Sequence, residues 1–399
     1  MASDTQKPTI LCVFEQPTQF DPPLWRALER RGTFHPVVWY GKAAYDREMD
    51  RMLAWGDDLS DIDAHVVPRE QVVERFTQMQ PTPLAVICER WTLKSTWLLA
   101  WQCMRRGIPV LLPSDRIPET AEPFMKKLRR RILRAATPKL FRGHITTGSL
   151  GVASLMQDGI PQDRIARALY AIDVDLFQRR LAQQQSVSRD IRNRWPEHAP
   201  IVIAVAKHVE RESPLLIIET FAALRSKRPD AKLLFVGDGP MRGAIEERIA
   251  HLGLGDSVFM AGYVPYADLP GYYGAADVFL HVAAFGPWEI SVSEAMACGV
   301  PAVTTANIGS SADLTIVGQT GAVASEASAE ALADKIVEVH AFPDREATRR
   351  AVIASARTID VSVAAAEIER LIFHLYGSSI PTSVDGGMTP AVVPAHKAR

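Results

Sequence analysis

Cysteine is scarce, with four in 399 residues. Cys12, Cys88, Cys103 and Cys298 stand singly within apolar segments and show no metal-ligand spacing. That excludes a disulfide scaffold and predicts reduced core thiols in a cytoplasmic protein. Net charge is scarce too: 45 Lys and Arg against 46 Asp and Glu leave −1, so the chain as a whole is not a polyelectrolyte binder. No apolar run reaches transmembrane length, and the opening MASDTQKPTI lacks the charged-then-apolar order of a signal peptide. Neither a membrane span nor a leader is expected.

What remains is a globular composition, 47% hydrophobic and 23% charged, in a chain too long for one ordinary core. Two domains are expected. Strand-like runs at Thr9–Phe14, Pro36–Tyr40, Leu84–Cys88 and Ile108–Leu112 alternate with helical stretches, including a Trp-rich one (Trp91, Trp97, Trp101). Residues 43–80 break that rhythm and read as an excursion over the sheet edge. A second alternation runs through Ile201–Ala206, Lys232–Val236, Ser257–Met260, Val278–His281 and Val300–Thr305. Strands alternating with helices imply parallel, doubly wound α/β sheets. The predicted division is 1–178 as a first Rossmann-like domain and the polar, proline-containing 179–199 as a linker. A second such domain follows at 200–345, then closing helices over 346–376 and a disordered tail from 377. Open α/β sheets bind ligands at the carboxyl ends of their strands, so the cleft between two such domains is the default active site.

The most informative stretch is GPWEISVSEAMACGVPAVTTANIG, residues 286–309. It reads as a short polar loop from Gly286 through Glu289, a helix whose N-terminus falls within 290–294 (Ile290, Ser291) with Ser291 and Ser293 as candidate caps and Glu294 in its first turn, a glycine stop at Gly299 and a buried strand. A carboxylate beside unpaired helix N–H groups suits a ligand carrying both a diol and a diphosphate. Taken alone, Glu294 reads more readily as a residue complementing the helix dipole; the strands on both sides and the Gly/Ser turns at the same sheet edge favour the ligand. Lys207 and Arg211, just past the strand IVIAVA, are candidate cations for a departing nucleoside diphosphate; otherwise they are solvated loop charges. Gly237, Gly239 and Gly243 form G-x-G-x-x-x-G after a strand, which could serve a dinucleotide but is poorly supported with Pro240 and Met241 inside it. The turn is read as a sharp reversal at the cleft mouth. Asp173 and Asp175 form a D-x-D pair without further ligands nearby in sequence, so no metal is expected. Residues 124–142 carry eight basic and no acidic residues with one apolar face. That suits either an anionic membrane surface or a plain solvated face better than nucleic acid.

Several of these segments occur together in a known order. VGDGPMRGAIEERIAHLGL, then VFMAGYVPYADLPGYYGAADVFLHVAA, then EISVSEAMACGVPAVTT resembles the donor half of family-four glycosyltransferases of the two-domain GT-B fold, over roughly residues 200–325. IPQDRIARALYAIDVDLF resembles the family's entry to its linker. PPLWRALERRGTFHPVVWY and MLAWGDDL resemble, more faintly, a subgroup from bacterial surface-polysaccharide pathways. The resemblance implies transfer of a sugar from a nucleotide-sugar to a glycan, lipid-linked or small-molecule acceptor, with retention of configuration. It implies no cofactor, the nucleotide-sugar being a substrate, and no essential metal.

The resemblance also assigns residues. The ribose-binding glutamate falls on Glu294, and Tyr263 and Val264 fall in the donor-side turn. The sugar-contacting glutamate falls on Gly286, a departure, with Glu289 nearby as a partial substitute. The phosphate-binding arginine falls on Lys207 and the lysine after it on Glu212, with Arg211 adjacent. The acceptor-side catalytic region corresponds loosely to Ser114-Asp115-Arg116, without a histidine. Those departures keep a non-catalytic scaffold in view as the alternative, with a nicotinamide-dependent oxidoreductase behind it.

Overall fold

The protein, as a computed structural model, is described over residues 7–42, 45–46, 51–52, 59–89, 94–115, 140–283 and 286–377. Most of the basic segment 124–142 and of the MLAWGDDL stretch, together with Trp91, Arg116 and the tail beyond Gly377, lie outside the described residues. Among the described residues, no helix is long and apolar enough to cross a membrane.

Two sheets form the frame. The first contains β1 (Thr9–Phe14), β2 (His35–Tyr40), β5 (Asp63–Val66), β6 (Ala85–Cys88), β7 (Val110–Ser114), β8 (Gly143–Thr146) and β9 (Ile165–Arg167). Between β2 and β5 lies a separate antiparallel pair, β3 (Tyr45–Asp46) with β4 (Arg51–Met52). The first sheet is parallel throughout, in the order β5-β2-β1-β6-β7-β8-β9. The second contains β10 (Ile201–Val205), β11 (Lys232–Val236), β12 (Val258–Gly262), β13 (Val278–Leu280), β14 (Ala302–Thr305) and β15 (Gly321–Ala324). It is parallel in the order β12-β11-β10-β13-β14-β15. Central strands such as TILCVF and IVIAV are almost wholly buried, because helices cover both faces of a parallel sheet and leave no solvent side for polar alternation.

The expected alternation is therefore present, with corrections. The excursion at 43–80 contains an edge strand, β5, paired in register with β2, and a helix, Val72–Gln78. The stretch expected as a linker is helical: Val174–Gln183 and Gln185–Arg192 bury Val174, Phe177, Leu181 and Ile191 in the core of the second lobe. The closing helices divide between the lobes. Arg345–Ala356 packs Val352 and Ala356 into the second lobe, whereas Val361–Tyr376 returns to the first. There Ile368, Leu371, Ile372 and Leu375 join Ile10, Trp25, Leu28 and Ile145 in one core.

The chain thus crosses between lobes twice, and the crossings run side by side. Ile172 N–H donates to Ile359 O at 3.2 Å and Val361 N–H to Ile172 O at 3.0 Å. The Asp360 carboxylate ties them further, accepting from Val174 N–H at 3.1 Å.

Candidate active site

In the second sheet the strand order reverses between β10 and β13, which are neighbours although β11 and β12 come between them in sequence. Loops leaving the two strands at such a switch point splay apart and open a crevice at their carboxyl ends. The loop after β10 carries Lys207, Arg211 and Glu212; the segment after β13 carries His281, Gly286 and Glu289. Two of the sequence's candidate groups, 80 positions apart, are therefore brought to one crevice.

Their charges converge. Arg211 Nη2 lies 2.6 Å from Glu212 Oε1 and its Nη1 3.9 Å from Glu289 Oε1. His281 Nε2 lies 3.5 Å from Glu289 Oε2 and 4.0 Å from Glu212 Oε2. His281 and Glu212 are buried and Glu289 is mostly so. Burial and the neighbouring Glu212 push the Glu289 carboxyl up to about 8, and Asp115 of the first lobe adds to that against the opposing pull of Arg211. Asp115 follows β7, so Glu289 faces the first lobe across the gap. Asp115 is itself raised to about 6 by burial, against a hydrogen bond with Tyr170. Burial lowers His281 to about 4, leaving its ring neutral at pH 7.

Gly286 and Glu289 are coupled sterically. A Cβ at Gly286 would run into the carboxyl group of Glu289. The Glu289 carboxylate thus occupies the volume that a side chain rooted at position 286 would enter.

Glu294 is the largest departure from expectation. The helix is Ile290–Ala297 with Glu289 at its N-cap and no side-chain cap, so Glu294 lies in its second turn, not its first. It is only 4% exposed, and its Oε2 accepts from Tyr273 Oη at 2.8 Å. Among the described residues no donor reaches Oε1. Burial lifts its pKa to about 7, with the Tyr273 bond pulling the other way. Oε1 is not among the fully buried acceptors without a partner, so it stays open to solvent or to a ligand's donors. Tyr273, absent from the sequence reading, is the residue that fixes its orientation.

The remaining candidates divide into side-chain and backbone roles. Gly237 (φ +140°) and Gly239 (φ +155°) admit no side chain, because their Cβ atoms would strike Ala206 O and His208 O. His208 N–H donates to Asp238 O and Met241 N–H to His208 O, both at 2.9 Å. The glycines therefore clamp the 237–241 turn onto the 206–208 loop and hold Lys207 between buried Ala206 and buried His208. Gly243 has open space at its Cβ position, so the third glycine of a dinucleotide fingerprint has no close approach to serve. Tyr263 is 42% exposed, while Val264 packs its side chain into the core; only its backbone remains for a ligand. Ile290 packs partly against the same core, and Ser291 is half-buried. Asp173 caps the helix Val174–Gln183, accepting from Leu176 N–H at 2.8 Å, and Asp175 pairs with Arg357 at 2.7 Å. Those two carboxylates point to separate tasks.

A direct contact between lobes was not legible in the sequence. Asp313, on the short helix Gly309–Leu314, accepts from Ser149 N–H at 2.7 Å and Ser149 Oγ at 3.1 Å, with Arg167 Nη1 3.7 Å away. Gly148 lets the lobes close to this distance, since Asp313 and Trp288 fill the space a side chain would take. Asp313→Ala is expected to loosen this contact. KM should rise about 10-fold, the worth of one charge-assisted hydrogen bond, and small-angle scattering should show a larger radius of gyration with an unchanged melting profile.

Comparison with known proteins agrees with this geometry. The family described as "Glycosyl transferases group 1" matches residues 188–358, the whole of the second sheet with its flanking helices. The second lobe is therefore similar to that family, over somewhat under half of the chain. It is 35% identical over 123 residues to mannosylfructose-phosphate synthase of Agrobacterium fabrum, covering 29% of this chain and 27% of that protein. It is 29% identical over 158 residues to the GDP-mannose-dependent alpha-(1-6)-phosphatidylinositol monomannoside mannosyltransferase of Mycolicibacterium smegmatis, covering 37% and 40%. The matches thus span well under half of either relative. Among solved structures, a glycosyltransferase from Rickettsia africae superposes with a TM-score of 0.69 at 17% identity, over 94% of this chain and 100% of that one. Anabaena HepE in complex with UDP superposes with a TM-score of 0.68 at 17% identity, over 90% and 98%. At that identity the superpositions establish the fold, which is GT-B.

Proposed function

We propose that this chain is a family-four glycosyltransferase that moves a sugar from a nucleoside diphosphate sugar to an acceptor hydroxyl, with retention of anomeric configuration. The observation that carries the reading is the half-satisfied, buried Glu294 carboxylate in a lobe whose switch-point loops present Lys207 and Arg211. In this reading Oε1 of Glu294 accepts from the ribose diol, which supplies the donors it lacks. Lys207 and Arg211 neutralise the charge that develops on the departing diphosphate. Glu289, in the space below Gly286, meets the donor sugar. Asp115, opposite it, orients the acceptor hydroxyl, and the leaving phosphate takes the proton.

No enzymic nucleophile is required by this route. Attack on the face from which the diphosphate leaves gives retention, so the product keeps the donor's anomeric form.

The test is direct. Purified protein is incubated with UDP-, GDP- and ADP-sugars and with lipid-linked and free glycan acceptors, and the product linkage is read by NMR. An anomeric coupling constant matching the donor's is expected; inversion would sink the front-face route. Binding of no sugar nucleotide at all, by calorimetry, would favour a scaffold role, for which the altered positions Gly286 and Glu212 are the motivation.

A further inference from the structure

Glu212, His281 and Glu289 present one ligand atom each, all within 4.8 Å of one another. Glu212 is 6% exposed and His281 2%. The His281 Nε2 atom is buried without a hydrogen-bond partner and points at both carboxylates, 3.5 Å from one and 4.0 Å from the other. A buried imidazole nitrogen normally finds a partner. Here neither carboxyl group comes close enough to complete a hydrogen bond with the ring nitrogen. A cation at the centre would give His281 Nε2 a partner and draw both carboxylates onto it. We propose that Glu212, His281 and Glu289 bind a divalent transition-metal ion at the mouth of the donor crevice.

The donor set fits the class. Two carboxylates with one imidazole suit Mn²⁺ or Zn²⁺ better than Mg²⁺, which favours oxygen alone. Metal–ligand distances near 2.1 Å place adjacent ligand atoms about 3 Å apart in an octahedral or tetrahedral shell. The present 3.5 and 4.0 Å separations close to that by small rotations of the carboxylate groups. Both the loop after β10 and the segment after β13 contribute, so the ion pins the two sides of the switch point together. Immediately after Glu212, Ser213 adopts a left-handed backbone (φ +48°), an uncommon conformation for a residue with a side chain. It fixes the turn that presents Glu212.

Charge supplies the reason for the site. A bound ion holds both carboxylates ionised, and with Arg211 these sum to −1. A bound dication makes the cluster +1 and supplies, from the metal, the positive charge that the family's lysine would give at position 212. Arg211, half-exposed, is then free to turn toward the phosphates. The inference goes beyond the proposed function and departs from the metal-free expectation of the sequence. It concerns a property of the protein without substrate.

The experiment uses EDTA-stripped full-length protein at pH 7.5. Mn²⁺ is titrated and followed by the loss of its free electron-spin signal, and Zn²⁺ is titrated by calorimetry. One ion per chain is expected. Glu289→Gln and Glu212→Gln should each weaken binding at least about 10-fold, as should His281→Gln, losses of the size seen when a ligand's support is removed. Melting curves show whether each variant is folded. Because Glu289 is the least buried of the three, its near-isosteric variant keeps the test open if His281→Gln does not fold. No stoichiometric binding of either ion by folded wild-type protein overturns the proposal. Binding unchanged in folded Glu289→Gln does so too. UDP- or GDP-sugar binding, measured separately in EDTA and with Mn²⁺, keeps the two readings apart. An ion bound with no sugar nucleotide upholds the metal site and removes the transferase reading. Sugar nucleotide bound equally in EDTA, with no ion taken up, does the reverse.

Discussion

Glu294→Gln is expected to weaken nucleotide-sugar binding about 10- to 100-fold while making the protein harder to melt at pH 8. The first effect follows from replacing a charged acceptor of ribose hydroxyls, hydrogen bonds to charged groups being worth about 1.5–3 kcal/mol each. The second follows from burial. Burial lifts the carboxyl group to about 7 in the folded protein from its ordinary 4.5. Between those values the folded state binds the extra proton, so its stability falls as pH rises through the window and stays low above it. Keeping the ionised form buried costs on the order of 3 kcal/mol, and an unpaired amide N–H in the variant returns about 1. A net gain of about 2 kcal/mol above pH 7 remains, vanishing below about pH 4.5, where both states are protonated in the wild type. Differential scanning calorimetry across pH 4–8 with parallel nucleotide titrations reads both. Tighter folding with unchanged nucleotide affinity would make Glu294 a core residue and remove it from the site.

The second large effect is expected at Lys207. Lys207→Met should lower kcat/KM about 10²- to 10³-fold, the range found when one preorganised group is removed from a developing negative charge. The loop should be undisturbed, because its position is set by neighbours. His208 is fully buried against Phe235 at 4.7 Å between ring centroids, and the Gly237 turn lies on Ala206 O. Steady-state kinetics with a fixed acceptor and varied donor measures the change. A loss confined to KM would mean that Lys207 grips the ground state alone, and no loss would place the phosphates elsewhere.

These expectations rest on parts of the molecule that were unevenly legible in the sequence. Central strands were plain because burial on both faces makes them near-continuous apolar runs, as at Ile201–Val205. β5 was not, since DAHV is an exposed edge strand held to β2 chiefly by backbone pairing. The helices over 174–192 were hidden by composition. Their buried residues, Val174, Phe177, Leu181 and Ile191, are spaced for one face, but the intervening Arg, Gln and Ser residues read as a linker.

At the site, the positions of Glu294, Lys207 and Arg211 came from local motifs. The convergence of Glu212, His281 and Glu289 did not, because it depends on β10 lying beside β13 across 73 residues of sequence. The helix start was misplaced for a local reason: Ser291 and Ser293 look like caps, yet the cap position is Glu289. Tyr273 and Asp313 were missed because an isolated tyrosine or aspartate carries no signal until its partner is known.

The return of Val361–Tyr376 to the first sheet has a consequence for biosynthesis. The lobe whose strands are made first cannot bury Ile10, Trp25 and Ile145 fully until the final helix has left the ribosome. The second lobe, contiguous from 174 to 356, can be complete before then. Order of folding therefore runs against order of synthesis, and the nascent first lobe exposes apolar surface for most of translation, which makes it the part most dependent on chaperones.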